Sequence, residues 1–367
     1  MGILRFLLAL VVVLFHNVGS FWWLMDSHTA VKIFFIISGF YMALILNQKY
    51  GSASGGLRAF AINRFLRLYP LYAAVLILTI GWYLLRLAMI GGRTPIPGIF
   101  EIQPYLSTWQ TIAIWLSNVS LIGLDFICSW DLSPTEGLNY LPFPHPATDT
   151  TTVNLGSAVW VIQAWSISME ILFYVSAPFL ARLKTVTLAG IIIASFALDV
   201  WLSSGLGRVT YFFAPAQLYL FATGMMLYRT YSSLNLAETV VTHRSWMTMV
   251  AAVLFFLAWG LPLFNPSVPQ SAQLLCFALL IPTLFAISKD ASWDRALGNL
   301  SYPIYLSHML VGGVLAVVFK RLTVPDGLAT PLMLASCILV AVILHRIVES
   351  PIEGLRAAIS RKLTRTH

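Results

Sequence analysis

Residues 29–47, TAVKIFFIISGFYMALILN, form an apolar run in which Lys32 is the single charged side chain. A helix needs about 20 apolar residues to cross the hydrocarbon core of a lipid bilayer. The length and composition of this stretch meet that requirement. It therefore predicts a membrane-spanning helix.

Similar apolar runs recur along the whole chain. The eleven candidates lie at residues 3–20, 29–47, 68–90, 108–127, 159–181, 186–203, 209–228, 245–263, 271–288, 297–319 and 329–348. Of the 367 residues, 59% are hydrophobic and only 10% are charged, whereas a soluble domain carries about 25% charged residues. We therefore predict an all-α fold, a polytopic transmembrane helix bundle. It forms a single domain over residues 1–367, without an appended soluble domain.

The net charge of +8 does not indicate a nucleic-acid partner, because Lys and Arg lie in short segments between apolar runs. Such residues are enriched in cytoplasmic loops. The basic loops contain Lys49, Arg58, Arg64 and Arg67; then Arg182 and Lys184; then Arg229, His243 and Arg244; and, in the tail, Arg346, Arg356, Arg361, Lys362 and Arg365. All four should lie in the cytoplasm.

Residues 128–158 contain no Lys or Arg but carry Asp131, Glu136 and Asp149, which predicts a loop outside the cytoplasm. The two sets of assignments agree only if the run at 108–127 lies on the membrane surface or dips in and returns. This predicts ten spans with both termini in the cytoplasm. Eleven spans remain the alternative, because acidic residues have little weight in orientation.

Neither the N-terminal run nor the cysteines indicate a secreted, disulfide-bonded protein. Phe6–Phe15 is followed by no small-residue cleavage site, so we expect a retained first helix. Cys128, Cys276 and Cys337 are odd in number and far apart, which predicts neither a disulfide framework nor a metal site.

Two ionisable residues lie on the first predicted helix, Arg5 and His16, eleven residues apart. At 100° per residue this spacing places them on one face, about 16 Å apart along the axis. Ionisable groups inside a membrane are costly and are functional candidates. Arg5 equally suits a side chain that reaches lipid phosphate, whereas the deeper His16 favours a functional role.

Glu170 lies in the middle of another apolar run, within Ala164–Tyr174. A carboxylate there requires a cation or a wet cavity. It could hold an arginine or orient His16. A structural ion pair and a catalytic role are about equally supported by the sequence.

Two further motifs favour packing over chemistry when each is considered alone. Tyr305 and His308 are one helical turn apart and face the same way, which favours hydrogen bonding within the bundle. Ser38 and Gly39 form a small pair that lets another helix or a ligand approach the backbone closely. Ser38 has no activating partner visible in sequence.

Arg64 and Arg67 are one turn apart at the predicted entrance to a helix. Two guanidinium groups at that spacing suit a phosphate, although ordinary cytoplasmic charge explains them equally well. The sequence has no glycine-rich phosphate loop with its lysine and no His-Glu-x-x-His motif. ATP-driven pumping and metal-dependent hydrolysis therefore lose support.

Five blocks of sequence together resemble the acyltransferase-3 family of integral membrane acyltransferases, and they occur in the family's order. They are Arg5 followed by Val13-Leu14-Phe15-His16; FFIISGF at residues 34–40; RFLRLYP at 64–70; WSISME at 165–170 with Phe173, Tyr174 and Pro178; and LSYPIYLSH at 300–308. They extend over nearly the whole chain. Met169 and Ser307 depart from the usual pattern, with a bearing on pocket shape rather than on catalytic groups.

The resemblance implies an O-acyltransferase in a bacterial cytoplasmic (inner) membrane. The donor is acyl-CoA, by default acetyl-CoA on the cytoplasmic side, and no metal is needed. The acceptor is a hydroxyl outside, on a carbohydrate or a lipid-linked glycan, within reach of membrane lipid. His16 and Glu170 are carried over as catalytic residues. The residues carried over for coenzyme binding are Arg5, Arg64, Arg67, Ser38, Tyr305 and His308.

On this hypothesis the arginines bind the phosphates of coenzyme A, and the thioester reaches His16. His16 then acts as a general base on the acceptor hydroxyl, or accepts the acyl group itself, while Glu170 orients it. Trp130, Asp131, Tyr140 and Asp149 would receive a polar acceptor.

Two other classes compete with this hypothesis. Ten spans with intramembrane His and Glu also suit a proton-coupled transporter or a lipid or glycan flippase, although no inverted repeat is detectable. A membrane subunit without chemistry leaves the grouping of Arg5, His16 and Glu170 unexplained.

Overall fold

The computed structural model of the chain describes residues 1–17, 25–50, 56–90, 98–133, 137–141, 152–205, 209–264 and 270–365. Glu136 and Asp149, which were predicted to lie in an outer loop, lie outside the described residues.

Helices account for most of the described residues. In chain order they are α1 (Gly2–Asn17), α2 (Ser27–Ile45), α3 (Gly56–Ile90), α4 (Gly98–Ile102), α5 (Thr108–Ser120), α6 (Leu124–Cys128), α7 (Trp165–Arg182), α8 (Thr185–Val200), α9 (Ala214–Ser233), α10 (Leu236–Thr242), α11 (Arg244–Phe264), α12 (Gln270–Ser288), α13 (Ser292–Leu322), α14 (Asp326–Leu344) and α15 (Ser350–Arg365). Single π-helical turns at Leu46–Tyr50, Trp201–Gly205 and His345–Glu349 extend α2, α8 and α14. The predicted helical bundle class is confirmed.

Seven helical stretches among the described residues are long and apolar enough to cross a membrane. They are Ser27–Tyr50, Gly56–Met89, Ile162–Arg182, Thr185–Ser204, Gln270–Ser288, Ser292–Leu322 and Gly327–Ile359. Two shorter apolar helices, Gly2–Asn17 and Arg244–Gly260, accompany them. Several membrane spans are therefore established, while the number ten and the cytoplasmic position of both termini stay predictions.

The run at 108–127 contains two short helices rather than one long helix. A capping box of Ser107 and Gln110 begins α5. Leu121, with a φ of 66°, ends α5 after 13 residues, a length of about 20 Å. The hydrocarbon core is about 30 Å thick, so neither helix is long enough to cross it alone.

One small sheet interrupts the helical fold between α6 and α7. Strands β1 (Trp130–Ser133), β2 (Gly137–Tyr140) and β3 (Val153–Asn154) are antiparallel and are ordered β2-β1-β3. The Asn154 side chain donates to the carbonyls of Cys128 and Trp130 and to the carboxylate of Asp131. This sheet was not predicted, because its strands are too short to show an alternating pattern.

The predicted basic loop near residue 60 is wrong, because Arg58, Arg64 and Arg67 lie inside α3. Residues of high helix propensity continue α3 through this charged segment. Pro70 also lies inside the helix, as membrane helices tolerate where neighbouring groups satisfy the backbone.

Arg229 was also predicted to lie in a loop and instead belongs to α9. Its guanidinium donates to the carbonyl oxygens of Leu180, Ala181 and Leu183 at the end of α7. The arginine thus donates to carbonyl groups at the C-terminal end of α7, where backbone donors run out; the Leu180 carbonyl also accepts from the Leu183 N–H. Arg356, from the predicted tail, lies in α15.

The chain forms two compact units, which we describe separately. The first unit comprises Met1–Asn63, Ala177–Ala189 and Leu220–His367. The second unit comprises Arg64–Ser176 and Gly190–Tyr219.

In the first unit, α1 packs against α13 and α14 around a buried apolar cluster. Ala9 and Val13 of α1 contact this cluster together with Ile304 of α13 and Cys337 of α14. The helices also approach closely at glycines, since a Cβ on Gly298 would lie 2.8 Å from the Cα of Gly2. All three cysteines of the chain are free thiols.

Helices α2 and α9 cross at two glycines in the first unit. A Cβ on Gly39 would lie 1.9 Å from the carbonyl oxygen of Phe221, and a Cβ on Gly224 would lie 1.9 Å from that of Ile36. Both neighbours are backbone atoms that cannot rotate away. Gly39 therefore serves close helix packing, the role that the sequence favoured for the Ser38-Gly39 pair.

In the second unit, Asn118 connects three segments. Its side chain donates to the carbonyls of Ile114 and Ala158, and its amide oxygen accepts from the backbone N–H of Trp160. The Tyr72 hydroxyl donates to the Asn118 carbonyl. A buried amide with every group satisfied fixes α5 against α3 and the segment before α7.

Candidate functional site

The first turn of α1 is held by a carboxylate from another helix. The backbone N–H groups of Gly2 and Ile3 donate to the carboxylate of Asp294, over 2.7 and 2.9 Å. The first N–H groups of a helix have no partner within the helix, and the helix dipole favours a negative charge beside them. Asp294, at the start of α13, therefore fixes α1 along α13.

This contact fixes where Arg5 and His16, both on α1, lie along α13. Arg5 is half-buried near the start of α1, and His16 is exposed one residue before the helix ends. The sequence predicted both residues but not Asp294, since nothing local connects a residue near position 290 with the N-terminus.

His16 lies beside His308. The centroids of their rings are 5.4 Å apart, with an angle of 35° between the ring planes. His308 is fully buried, with 0% of its surface exposed. Its Nδ1 lies 2.6 Å from the carbonyl oxygen of Tyr305, and its Nε2 has no hydrogen-bond partner within the described residues.

Tyr305 continues this cluster on the same face of α13. Its ring centroid is 6.0 Å from that of His308 and 6.0 Å from that of Phe34 on α2. The structure therefore brings His16 of α1 together with Tyr305 and His308 of α13. The hydrogen bond between His308 and the Tyr305 carbonyl lies within α13.

His28, which was not predicted as a site residue, lies in the first turn of α2. Its side chain is exposed and interacts electrostatically with His16. Next to it, Gln270 of α12 donates to the Asp26 carboxylate and accepts from the Lys32 ammonium. The sequence feature that could have identified His28 is its position at the border of an apolar run, close to Asp26 and Lys32.

Ser38 is buried in α2, one residue before the glycine that contacts α9. Close packing explains why a small residue occupies this position. Its predicted part in coenzyme binding stays a prediction.

In the second unit, Arg64, Tyr174 and Glu170 form one group. The guanidinium of Arg64 lies over the ring of Tyr174, 5.9 Å from its centroid. The Tyr174 hydroxyl donates to the Glu170 carboxylate, one helical turn away on α7. A guanidinium over an aromatic face is held there by cation–π attraction.

Arg67 lies one turn from Arg64 on α3 and is half-buried. The structure thus keeps the spacing that suits a phosphate, although inside a long helix rather than at its entrance. Tyr174 was part of a sequence block, but its position between Arg64 and Glu170 was not predicted.

The segment predicted to receive the acceptor carries an aromatic cluster in the second unit. The rings of Trp130 and Tyr140 are 4.9 Å apart, and Phe126 contacts both. Asp131 accepts a hydrogen bond from Asn154. Asp149, predicted to belong to the same surface, lies outside the described residues.

A buried carboxyl, that of Asp125, directly precedes Phe126 of this cluster in α6. Asp125 accepts a hydrogen bond of 2.7 Å from the Ser168 hydroxyl and is 4% exposed. Burial raises the pKa of Asp125 above its ordinary value, against the opposing effect of the Ser168 hydrogen bond. Burial also raises the pKa of the neighbouring Cys128 thiol.

The described part of the chain contains no group of three or more His, Cys, Asp or Glu residues placed to hold a metal ion. The arginines are the groups suited to an anionic cosubstrate. The imidazole of His16 is suited to proton or acyl transfer.

Comparison with known families gives one match. The profile of a family described as "Acyltransferase domain", of the acyltransferase-3 type, matches residues 1–346. No curated protein and no solved structure shows significant similarity to the chain.

Proposed function

The chain belongs to the acyltransferase-3 family of membrane acyltransferases, and from this premise we propose that it is an O-acyltransferase. The group transferred is acetyl, the donor is acetyl-CoA in the cytoplasm, and the acceptor is a hydroxyl of a carbohydrate or lipid-linked glycan outside. The site of action is a bacterial cytoplasmic membrane, crossed ten times with both termini inside.

The position of His16 is the observation that supports the proposal most directly. His16 is an exposed imidazole at the end of an apolar helix, beside a second histidine that is fully buried. An imidazole both takes up and releases a proton near neutral pH. An acceptor hydroxyl needs such a base to attack a thioester.

The donor is assigned to the arginines. Arg64 and Arg67 suit the phosphates of coenzyme A because guanidinium groups form paired hydrogen bonds with phosphate oxygens. Tyr174 supports this role by holding the Arg64 guanidinium by its face. Arg5 is a further candidate, about 16 Å from His16 along α1.

Two routes lead from donor to acceptor. In the first, His16 takes the proton of the acceptor hydroxyl while its oxygen bonds to the thioester carbon. The carbon–sulfur bond then breaks, and the thiolate takes the proton from His16. In the second, a neutral ring nitrogen of His16 attacks the thioester carbon, and the carbon–sulfur bond breaks to release the coenzyme A thiolate. The acceptor oxygen then takes the acyl group from that nitrogen, and the hydroxyl proton passes to the thiolate.

Glu170 is retained as a proposed catalytic residue. It accepts a hydrogen bond from the hydroxyl of Tyr174, so one role is to hold Tyr174 and, through it, Arg64. The orientation of His16 by Glu170 stays a prediction. Ser38 and Tyr305 stay proposed coenzyme-binding residues.

The test uses purified protein in detergent with radiolabelled acetyl-CoA, with and without glycans extracted from the cell envelope. We expect label to move into glycan or onto the protein, and His16→Ala to abolish both while still inserting into the membrane. A fully active His16→Ala variant would end the proposal. If coenzyme A does not bind and the donor stays intact throughout, a transporter or flippase becomes the better reading.

A further inference from the structure

The two ring nitrogens of His308 have different environments. Nδ1 lies 2.6 Å from the backbone carbonyl oxygen of Tyr305. A carbonyl oxygen only accepts hydrogen bonds, so Nδ1 must carry the proton. The other nitrogen, Nε2, is buried and has no hydrogen-bond partner within the described residues.

Burial determines whether Nε2 of His308 carries a proton. A proton there would make His308 a cation with none of its surface exposed. Charges are buried only when an opposite charge and hydrogen bonds compensate for the lost water. The described contacts of His308 are a carbonyl and two rings. His308 is therefore neutral, and its Nε2 presents a lone pair that lacks a donor.

His16 is the donor that lies within reach. Two imidazoles joined by an N–H···N bond of about 3 Å have ring centroids about 5–5.5 Å apart, and the observed separation is 5.4 Å. His16 is exposed, so its ring can turn about its side-chain bonds to complete the hydrogen bond. The buried ring of His308 is held in place by its hydrogen bond to the Tyr305 carbonyl, so it is the ring of His16 that adjusts.

We infer that His308 is a positioning residue, which accepts a hydrogen bond from one ring N–H of His16. This bond fixes the tautomer of His16, so that its other nitrogen presents a lone pair to the acceptor hydroxyl. The inference rests on the proposed function. It gives His308 a role different from the coenzyme binding that the family resemblance implies.

The proton balance of the step is complete. His16 takes the hydroxyl proton as the new carbon–oxygen bond forms, and becomes a cation that still donates to His308 Nε2. As the carbon–sulfur bond breaks, the departing thiolate takes this proton. His16 returns to its initial tautomer, and His308 stays neutral throughout.

Two substitutions at position 308 separate the two ring nitrogens. His308→Gln places an amide oxygen near the position of Nε2, so it keeps an acceptor for His16. His308→Asn keeps a donor for the Tyr305 carbonyl but has no atom that reaches His16. We expect His308→Asn to lower kcat by roughly 10- to 100-fold, with unchanged acetyl-CoA affinity. His308→Gln should restore most of the activity. Equal activity in the two variants would contradict the inference.

A second measurement does not depend on turnover. Magic-angle-spinning NMR of the whole protein, labelled with ¹⁵N-histidine in lipid bilayers, reads tautomers from the ring nitrogen shifts. His16→Ala and His308→Asn assign the two rings by loss of signal. We expect a single tautomer for His16 and a nitrogen–nitrogen correlation to His308 across one proton. Mixed His16 tautomers without that correlation would overturn the inference. Because no acceptor is present, failure of the proposed function would not affect this result.

Discussion

At the scale of single residues, Asp125 links burial to a dependence of stability on pH. Burial raises its pKa in the folded protein, so the folded state binds this proton more tightly than the unfolded state. The stabilisation is full below the unfolded pKa, near 4, and is lost as the pH rises through the higher folded pKa.

We therefore expect Asp125→Asn to be at least as stable as the wild type at pH 8 and to lose the part of the pH dependence due to this group. The asparagine oxygen still accepts from Ser168 and carries no charge. Thermal unfolding in detergent at pH 4 to 8 measures this. A variant that melts well below the wild type at pH 8 would show that the carboxylate stabilises the fold.

Arg64 is the residue on which donor binding depends most in this proposal. Arg64→Ala should weaken coenzyme A binding by about tenfold or more, because a charged hydrogen bond contributes about 1.5–3 kcal/mol, and should change turnover less. Tyr174→Phe keeps the ring under Arg64 but loses the hydroxyl that bonds to Glu170, so it should bind coenzyme A slightly more weakly than the wild type, whereas Tyr174→Leu, which also loses the ring, should bind it much more weakly. Calorimetric titration with coenzyme A gives the affinities. Unchanged affinity in Arg64→Ala would remove Arg64 from the site.

The candidate residues could be read from the sequence, but their grouping could not. Arg5 and His16 share a helix, so helical periodicity relates them. His16 and His308, or Gly2 and Asp294, are related only by the packing of α1 on α13. Side chains so far apart in the chain leave no local pattern.

At the scale of elements, the crossing of α2 and α9 depends on two glycines. Gly39→Ala or Gly224→Ala would place a Cβ against a carbonyl oxygen of the facing helix. We expect each to lower stability by about 1–3 kcal/mol, as overpacking does. Gly81→Ala in α3 is the control, since a Cβ there meets nothing within 4 Å. The measurement is thermal unfolding in detergent. If Gly39→Ala melts as the control does, the crossing is not tight.

The sequence predicted the helices better than the segments between them. Each apolar run contains a helix, because a long apolar segment in lipid must satisfy its own backbone hydrogen bonds. The basic segment before residue 68 was misread as a loop, because positive charge indicates a side of the membrane and not a backbone conformation. The partner of the Ser38-Gly39 pair was also unreadable, since a small residue allows a crossing without selecting the helix that crosses.

At the scale of the whole molecule, composition was enough to predict the fold class, a transmembrane helix bundle. A chain with 10% charged residues must place apolar helices in lipid, and seven described stretches meet the length and composition of a span. The number of membrane spans was harder to predict, because α1 has 16 residues, a length near the lower limit for a helix that crosses the bilayer. The family was read from five blocks, and the match over residues 1–346 confirms it.

The packing of α1 on α13 also has a consequence for biosynthesis. Helix α1 leaves the ribosome well before α13, the helix that carries its Asp294 and His308 contacts. At about 5–20 residues per second, α1 waits roughly 15–60 s for residue 308 to be synthesised. During that time its apolar surface and Arg5 must be accommodated by lipid, the insertion machinery or a chaperone. A polypeptide released early would therefore contain His16 without the histidine that lies beside it in the finished protein.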